Sequence, residues 1–416
     1  MLIRYKQDQA GNTVPVAKIY TQNEHKIDTT KIDNDALKAI RKLNSIGAEV
    51  YIVGGAVRDL MLGNIPKDFD LTTSASPRQI HKLFWNSRII GKRFKLVHLE
   101  YGEKIIEVST FRSGEDASDV NSNNIFGTVE QDAKRRDFSI NALYYDAINN
   151  QVLDFNDSMK DFKKKKISSI IDLKYSFKED PVRMIRAIKY SISTGFKLNW
   201  NIRRSIKANA TELGSVSTSR LTEEVNKILA SGHSKDIIHS LDKYRLLVYL
   251  LPCFSVYCKD PKVNRSLEIL DEKVMAYKRD EGPEVLKSDM LQYLVRDIIL
   301  FTDEEMTARQ RFKETFRQVK ILISPMTPSN YEVEVCCAHL LGSKGYNVPR
   351  GCIRHTKPVR KMGDTRYRGN GKKKPYNKRT PKRGAKKKNQ SFEGQTVIKT
   401  APKKRKTHPP NKVESK

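Results

Sequence analysis

The sequence predicts an α+β chain: a small mixed α/β head, then all-helical neck and body segments, then a basic C-terminal tail without a core. Three observations predict it. Short β-rich runs such as Ala48–Val53, Leu96–Tyr101 and Ala142–Tyr145 mix with short helical patterns before about residue 158. From Pro181 to Leu251 apolar residues recur at helical spacing, and no clear strand follows up to about residue 345. From Pro349 onward Lys, Arg, Gly, Pro and Asn dominate; such a segment cannot bury a core and is expected to be disordered when free.

Each element has its own signal. Residues 1–35 are polar and weakly patterned and read as a loose leader. The head, 36–158, opens on a helix in which Ala36, Leu37, Ile40 and Leu43 share a face and Asn34 caps the start. Ala48–Val53 is a strand ending at Gly54-Gly55. Ala56–Leu62 is a short helix stopped by Gly63, and Lys67–Thr72 reads as a second strand. Leu96–Tyr101 and Lys104–Thr110 form a hairpin around Gly102, and Ala142–Tyr145 pairs with Val152–Asp154. The neck, 159–255, holds a helix over Pro181–Thr194 with Asp180 as cap and Pro181 at the first helical position, then helices over Thr222–Ala230 and Ile237–Leu251. The body, 256–348, is helical, and 349–416 is the tail.

Charge narrows the partners. The 416 residues carry 78 Lys and Arg against 48 acids, a net +30. The segment 350–416 alone has 24 Lys and Arg against Asp364, Glu393 and Glu414, which accounts for +21 and leaves +9 for the rest. That balance points to RNA, DNA or an anionic membrane. A hydrophobic share of 38% excludes a wholly disordered protein. The five cysteines are scattered and form no repeated Cys-x-x-Cys, so a disulfide framework or zinc cage is not expected. No apolar run reaches the ~18 residues of a membrane span, and Met1–Lys6 turns polar at once. The expectation is a soluble, cytoplasmic protein.

The chemistry concentrates in Gly54-Gly55-Ala56-Val57-Arg58-Asp59, followed by Lys67-Asp68-Phe69-Asp70-Leu71. Two carboxylates two apart on a strand project from one face. They repel unless a cation sits between them, and a hard divalent ion carrying phosphate oxygens suits that place. A Gly-Gly turn lets backbone N–H groups approach a phosphate, and Arg58 follows one helical turn later. Either half alone reads as a turn or an acidic edge; together they form a site.

On these residues the chain resembles the nucleotidyltransferase superfamily of DNA polymerase β type. The Gly-Gly-Ala-Val-Arg-Asp form resembles its class II tRNA nucleotidyltransferase/poly(A) polymerase family. The resemblance implies a nucleotidyltransferase head and a two-metal mechanism. One Mg²⁺ lowers the pKa of an RNA 3′-hydroxyl and the other clamps the triphosphate of ATP. Arg135-Arg136-Asp137-Phe138 reads equally as a charged helix end; in the family such a block supplies triphosphate contacts from Arg136 and an active-site carboxylate from Asp137. Glu107 lies on a strand of the same head and is left out of the catalytic set. Glu179-Asp180-Pro181-Val182-Arg183-Met184-Ile185-Arg186 carries Arg183 and Arg186 one turn apart, with Asp180 beside Arg183. The family's Glu-Asp-x-x-Arg motif selects the incoming base with such side chains. Ser219–Lys227 resembles the family's Arg-x-x-x-Glu helix.

The resemblance thus implies Asp68, Asp70 and Asp137 as catalytic, with Asp68 and Asp70 holding Mg²⁺. Gly54, Gly55, Arg58, Arg136, Asp180, Arg183 and Arg186 bind the nucleotide. The segment Ile89–Leu99 resembles the one that marks bacterial poly(A) polymerases, and its Lys92 and Arg93 are expected on RNA phosphates. In the tail, Lys372, Lys373, Lys374, Lys386, Lys387 and Lys388 belong to clusters interleaved with Tyr367, Tyr376 and Phe392, which reads as RNA binding or as a solubilising tail. The expected activity is template-independent addition of AMP to RNA 3′ ends, marking mRNA and other RNAs for decay, with RNA-decay proteins as partners and no membrane. The alternatives are a CCA-adding enzyme and an inactive RNA-binding adaptor.

Overall fold

Alternation along the head strands decides how the sheet is clothed. In Val50–Val53 (β3), Val50 and Ile52 face one core, and Tyr51 and Val53 face another. Leu143–Asp146 (β8) splits likewise, with Leu143 and Tyr145 on the first side and Tyr144 on the second. The first face is covered by the Asn34–Asn44, Gly55–Met61 and Pro77–Leu83 helices through Ile40, Leu43, Val57, Leu60 and Ile80. The second packs on the Val129–Lys134 helix through Val129 and Ala133.

The computed structural model describes residues 1–8, 10–91, 96–113, 126–301 and 305–355, all within the unit Met1–Val359. The remaining strands of the large sheet are Leu2–Gln7 (β1), Thr13–Tyr20 (β2), Asp70–Thr73 (β4), Ser87–Ile90 (β5), Leu96–Tyr101 (β6), Lys104–Thr110 (β7) and Gln151–Asp154 (β9). Their order across the nine-stranded sheet is β1-β2-β9-β8-β3-β4-β7-β6-β5. Every neighbouring pair is antiparallel except β4 and β7, which run parallel and set Asp70 beside Glu107. Gly102 turns the β6–β7 hairpin at φ +63°.

Beyond the head, the helices share a second large core, which reaches back to Phe138, Ile140 and Ile167. Helix Val182–Thr194 supplies Met184, Ile185, Ala187 and Ile188 to it. The mixed α/β head followed by a helical remainder is the architecture that the pattern predicts.

Four local expectations are corrected. Residues 1–35 are no loose leader: β1 and β2 add two strands to the sheet, through pairs such as Ile19 with Leu153. Their pattern is weak because most of β1 is exposed, so backbone pairing and not burial holds it. Asp33, not Asn34, caps the first long helix, accepting from the Asp35 and Ala36 amides. The second strand starts at Asp70, so Asp68 lies in the bend before it and not on the strand. Finally, Lys166–Ile167 and Lys197–Leu198 (β10 and β11) pair parallel in the helical part, too short to leave a pattern.

Candidate active site

Strand β3 ends at Gly54, which has φ +71° and ψ −130°, a conformation that only glycine adopts without strain. Helix Gly55–Met61 starts from it. A Cβ at Gly54 would lie 3.8 Å from Asp70 Oδ2 and 3.9 Å from an Arg136 Nη, so this turn sits between an acid and a base. At Gly55 a Cβ would meet the Arg58 guanidinium at 3.5 Å.

Asp70 pairs in register with Val53 on one side and Glu107 on the other. Its carboxyl is pushed up to about 6, first by burial and then by Glu107 and Asp68, while Arg136 opposes the rise. Asp70 itself is exposed to water at the start of its strand. Glu107 also lies 3.3 Å from His98 Nε2.

Asp137 is engaged elsewhere. It is buried, its Oδ1 accepts from the Phe138 amide at 2.8 Å, and its Oδ2 meets Arg186 at 2.8 Å. The carboxylates that act on Asp70 are therefore Asp68 and Glu107. The expected set of Asp68, Asp70 and Asp137 differs from this grouping because the parallel β4–β7 pairing cannot be read from either strand alone.

The carboxylates fit Mg²⁺ in their chemistry. They are hard oxygen donors, and their mutual repulsion, seen on Asp70, is relieved by a cation. Among the described residues no three His, Cys, Asp or Glu side chains are arranged to hold one ion. Magnesium commonly takes one or two carboxylates and completes its shell with water and substrate phosphate, so that arrangement is no obstacle.

An arginine network surrounds the acids. Asp132, fully buried, accepts from Arg135 Nε at 2.9 Å, Arg136 Nη2 at 3.0 Å and the Tyr144 hydroxyl at 2.6 Å. Burial alone would raise its pKa; Arg136 and Arg135 hold it below the usual carboxylate range. Burial in turn pulls the Arg136 pKa down, and Tyr144 and Asp132 more than reverse this. Arg58 donates from Nε to Asp59 at 2.9 Å and from Nη1 to Asn141 at 3.1 Å.

Helix Val182–Thr194 presents its own cations here. Arg186 joins Asp137 and donates to the Tyr190 hydroxyl from Nε and Nη2 at 3.3 and 3.1 Å. Arg183 donates to Glu179 at 2.8 Å and to the Ser176 carbonyl at 3.0 Å. Asp180 neither caps this helix nor pairs with Arg183 through its side chain; it accepts from Arg220 at 2.9 Å. Pro181 occupies the cap position. Arg220 and Glu224, which holds Lys189 at 2.9 Å, thus brace this region from the Thr218–Leu229 helix.

The structure brings Gly54, Asp70 and Arg136 together, and Arg58 and Arg186 meet at the ring of Tyr190. Lys92, Arg93 and the six tail lysines lie outside the described residues. Sequence reasoning missed Asp132, Asn141, Tyr144 and Tyr190. Asp132 had a signal, standing three and four residues before two arginines; the others depend on tertiary contacts.

Residues 50–168 match the family described as "Poly A polymerase head domain", and residues 195–258 match "Probable RNA and SrmB- binding site of polymerase A". Poly(A) polymerase I of Escherichia coli O6:H1 is 40% identical over 256 residues, covering 58% of this chain and 55% of that protein. The CCA-adding enzyme of Geobacillus thermodenitrificans is 34% identical over 218 residues, covering 52% and 54%. The chain thus spans about half the length of the curated relatives it matches. A solved tRNA nucleotidyltransferase, complexed with a primer tRNA and an incoming ATP analog, shares the fold at a TM-score of 0.51 and 23% identity, over 74% of this chain and 84% of that one. Over these stretches the chain is similar to the bacterial poly(A) polymerases and to the CCA-adding enzymes.

Proposed function

We propose that this protein adds AMP units from ATP to RNA 3′ ends without a template, releasing pyrophosphate. One observation carries the reading: Asp70 and Arg136 lie against the Gly54 turn, and Glu107 and Asp68 raise the Asp70 carboxyl by their negative charge. Repelling acids next to a backbone cradle and a fixed guanidinium suit an anionic nucleotide brought in with a cation. The choice of ATP rests on the higher identity to a poly(A) polymerase I and on the Ile89–Leu99 segment.

In this reading Asp68 and Asp70 hold Mg²⁺, with Glu107 beside them. The bound ions supply charge neutralisation and a more acidic 3′-hydroxyl. Gly54 and Gly55 offer backbone amides to the triphosphate, and Arg58 and Arg136 balance its charge. The RNA 3′-oxygen bonds to the α-phosphorus as the bridge to the β-phosphate breaks, and pyrophosphate leaves with the electron pair. Asp180, Arg183 and Arg186 read the base and support the nucleotide, with Arg186 held by Asp137. Lys92, Arg93 and the tail clusters Lys372–Lys374 and Lys386–Lys388 engage RNA phosphates. The product RNA is marked for decay in the cytoplasm, where decay proteins take it up. No helix among the described residues is long and apolar enough to cross a membrane.

The test is purified protein, a generic RNA, Mg²⁺ and each nucleotide triphosphate supplied singly. ATP should extend the RNA by many residues and CTP by few. Extension limited to a C-C-A triplet on tRNA lacking its end would instead establish the second reading, a CCA-adding enzyme, which the Geobacillus relative favours.

A further inference from the structure

The helix Trp200–Asn209 buries Ile202 and Ile206 and leaves Trp200, Arg203, Arg204 and Lys207 in water. These four stand at i, i+3, i+4 and i+7, so they form one stripe along the helix. Trp200 is 58% exposed, and the Arg204 guanidinium carbon lies 5.4 Å from the centroid of its ring. The helix contains no acid. Elsewhere in the neck a cation holds a carboxylate: Lys189 pairs with Glu224 and Arg220 with Asp180, both at 2.9 Å. Among the described residues no carboxylate pairs with Arg203, Arg204 or Lys207.

A second run of cations joins this stripe at its start. β10 and β11 set Lys166 beside Lys197, and the Lys197 amide donates to the Lys165 carbonyl at 2.9 Å. Asn199, next to Trp200, donates from its amide to the Ile167 carbonyl at 3.0 Å. The run Lys163–Lys166 is thereby laid against the residues that lead into Trp200. Lys163, Lys164, Lys165 and Lys197 are exposed, and none of them has a carboxylate partner among the described residues. From Lys166 the chain continues to Ile170, whose amide donates to the Asp137 carbonyl at 3.2 Å. Four residues span at most about 14 Å, and Asp137 in turn holds Arg186. The cationic surface therefore lies within a few nucleotides' reach of the candidate active site.

Like charges gathered without counter-charges repel one another, and a polyanion removes that cost. An exposed indole adds a flat face on which any unpaired base can stack, and a guanidinium over the ring strengthens such a platform. Phosphates of the same strand then reach the cations on either side. A duplex keeps its base faces covered and retains the phosphate contacts alone. We propose that Trp200 and Arg204 form a stacking platform for a base of single-stranded RNA a few nucleotides behind its 3′ end, with Arg203, Lys207, Lys197 and the Lys163–Lys166 run on the flanking phosphates. This rests on the reading of the protein as an RNA 3′-end transferase, and it adds the place where the growing strand is held between additions.

The chain has two tryptophans, Trp85 and Trp200, so Trp85→Phe leaves Trp200 as the sole indole reporter. Emission of the full-length Trp85→Phe protein should be quenched in a saturable way by a short oligoadenylate and far less by duplex RNA of the same length. Trp200→Ala should weaken oligoadenylate binding about tenfold, the loss of one stacked base. Trp200→Phe, which keeps a flat ring, should recover most of it. Lys164→Gln/Lys165→Gln/Lys166→Gln should make the slope of log K against log salt shallower by up to roughly 2, at about 0.7 per phosphate contact. KM for ATP at saturating RNA and the melting temperature should stay unchanged in each variant. Emission indifferent to single-stranded RNA, or quenched equally by the duplex, overturns the inference. So does a Trp200→Ala loss that comes with a lower melting temperature and is not restored by Trp200→Phe, which marks a structural side chain. Affinities within twofold of wild type in Trp200→Ala and in the lysine variant also overturn it, and give the surface to a protein partner instead. These are binding measurements, so a wild-type protein that binds RNA but extends it with no nucleotide fails the functional reading alone.

Discussion

Replacing Asp70 with Asn should make the protein more stable at neutral pH while abolishing turnover. The Asp70 carboxyl rises from 3.8 to about 6, chiefly through burial and then through Glu107 and Asp68. At about 1.36 kcal/mol per pH unit, that rise sets an upper bound of ~3 kcal/mol. Water reaches the side chain, and screening reduces the figure to about 1 kcal/mol. The sign follows from linkage: the folded state binds this proton more tightly than the unfolded one, so the penalty is fully present above about pH 6 and fades as pH falls toward 3.8. Asn stays neutral throughout. The variant should therefore melt about 2–4 °C above wild type at pH 7.5, with the gap closing near pH 4. Mg²⁺ should raise wild type and leave the variant where it was. Thermal melting of both proteins across pH, with and without Mg²⁺, decides it. A gap that is absent at pH 7.5, or the same at every pH, refutes the account of crowded carboxylates.

Glu107→Gln should lower kcat on the order of a hundredfold with RNA affinity retained, since one of the charges that gather the cation is lost; activity within threefold of wild type would remove Glu107 from the site. Asp132→Ala should destabilise the head by about 3–5 kcal/mol, because it leaves Arg135, Arg136 and the Tyr144 hydroxyl unpaired around a buried point. Because Asp132 is held below its usual pKa, the effect should be complete at pH 7 and shrink only in acid; a melting temperature lowered by less than 2 °C at pH 7 would contradict it. Removing residues 356–416 takes away 22 Lys and Arg. With single-stranded RNA each phosphate contact contributes a slope of roughly −0.7 to log K against log salt, so the slope should fall by several units in long RNAs; superimposable slopes would leave the tail without a role in binding.

The glycine turn after β3 was legible because its signal is local. Gly54-Gly55, the Gly102 hairpin and the helix carrying Arg183 and Arg186 are each encoded within a few residues. The partner of Asp70 was not, because nothing within β4 or β7 says that they lie side by side and parallel. Asp137 followed a family block, but its carboxylate is turned toward Arg186 by the packing of a helix far along the chain. Asp180 met the same limit: Arg220, its partner, lies 40 residues away. The two N-terminal strands were invisible for a different reason. They are stabilised by backbone pairing at a largely exposed edge, and an exposed edge imposes little hydrophobic pattern.

Those strands set an order on synthesis. Lys18, Ile19 and Tyr20 find their second partner in Asp154, Leu153 and Val152. At ribosomal rates of about 5–20 residues per second, the hairpin waits on the order of ten seconds for β9 to be made. The entropic cost of closing so long a loop grows only logarithmically, as about (3/2)RT ln n, so the delay is mainly one of time. During it the inner edge of β2 stands open to any passing strand. Pro15, which pairs with Tyr5 and offers no N–H, lies in the stretch of β2 that never gains a second neighbour. The nascent hairpin is thereby left with a short adhesive edge, Lys18–Tyr20, reserved for the strand that closes the head.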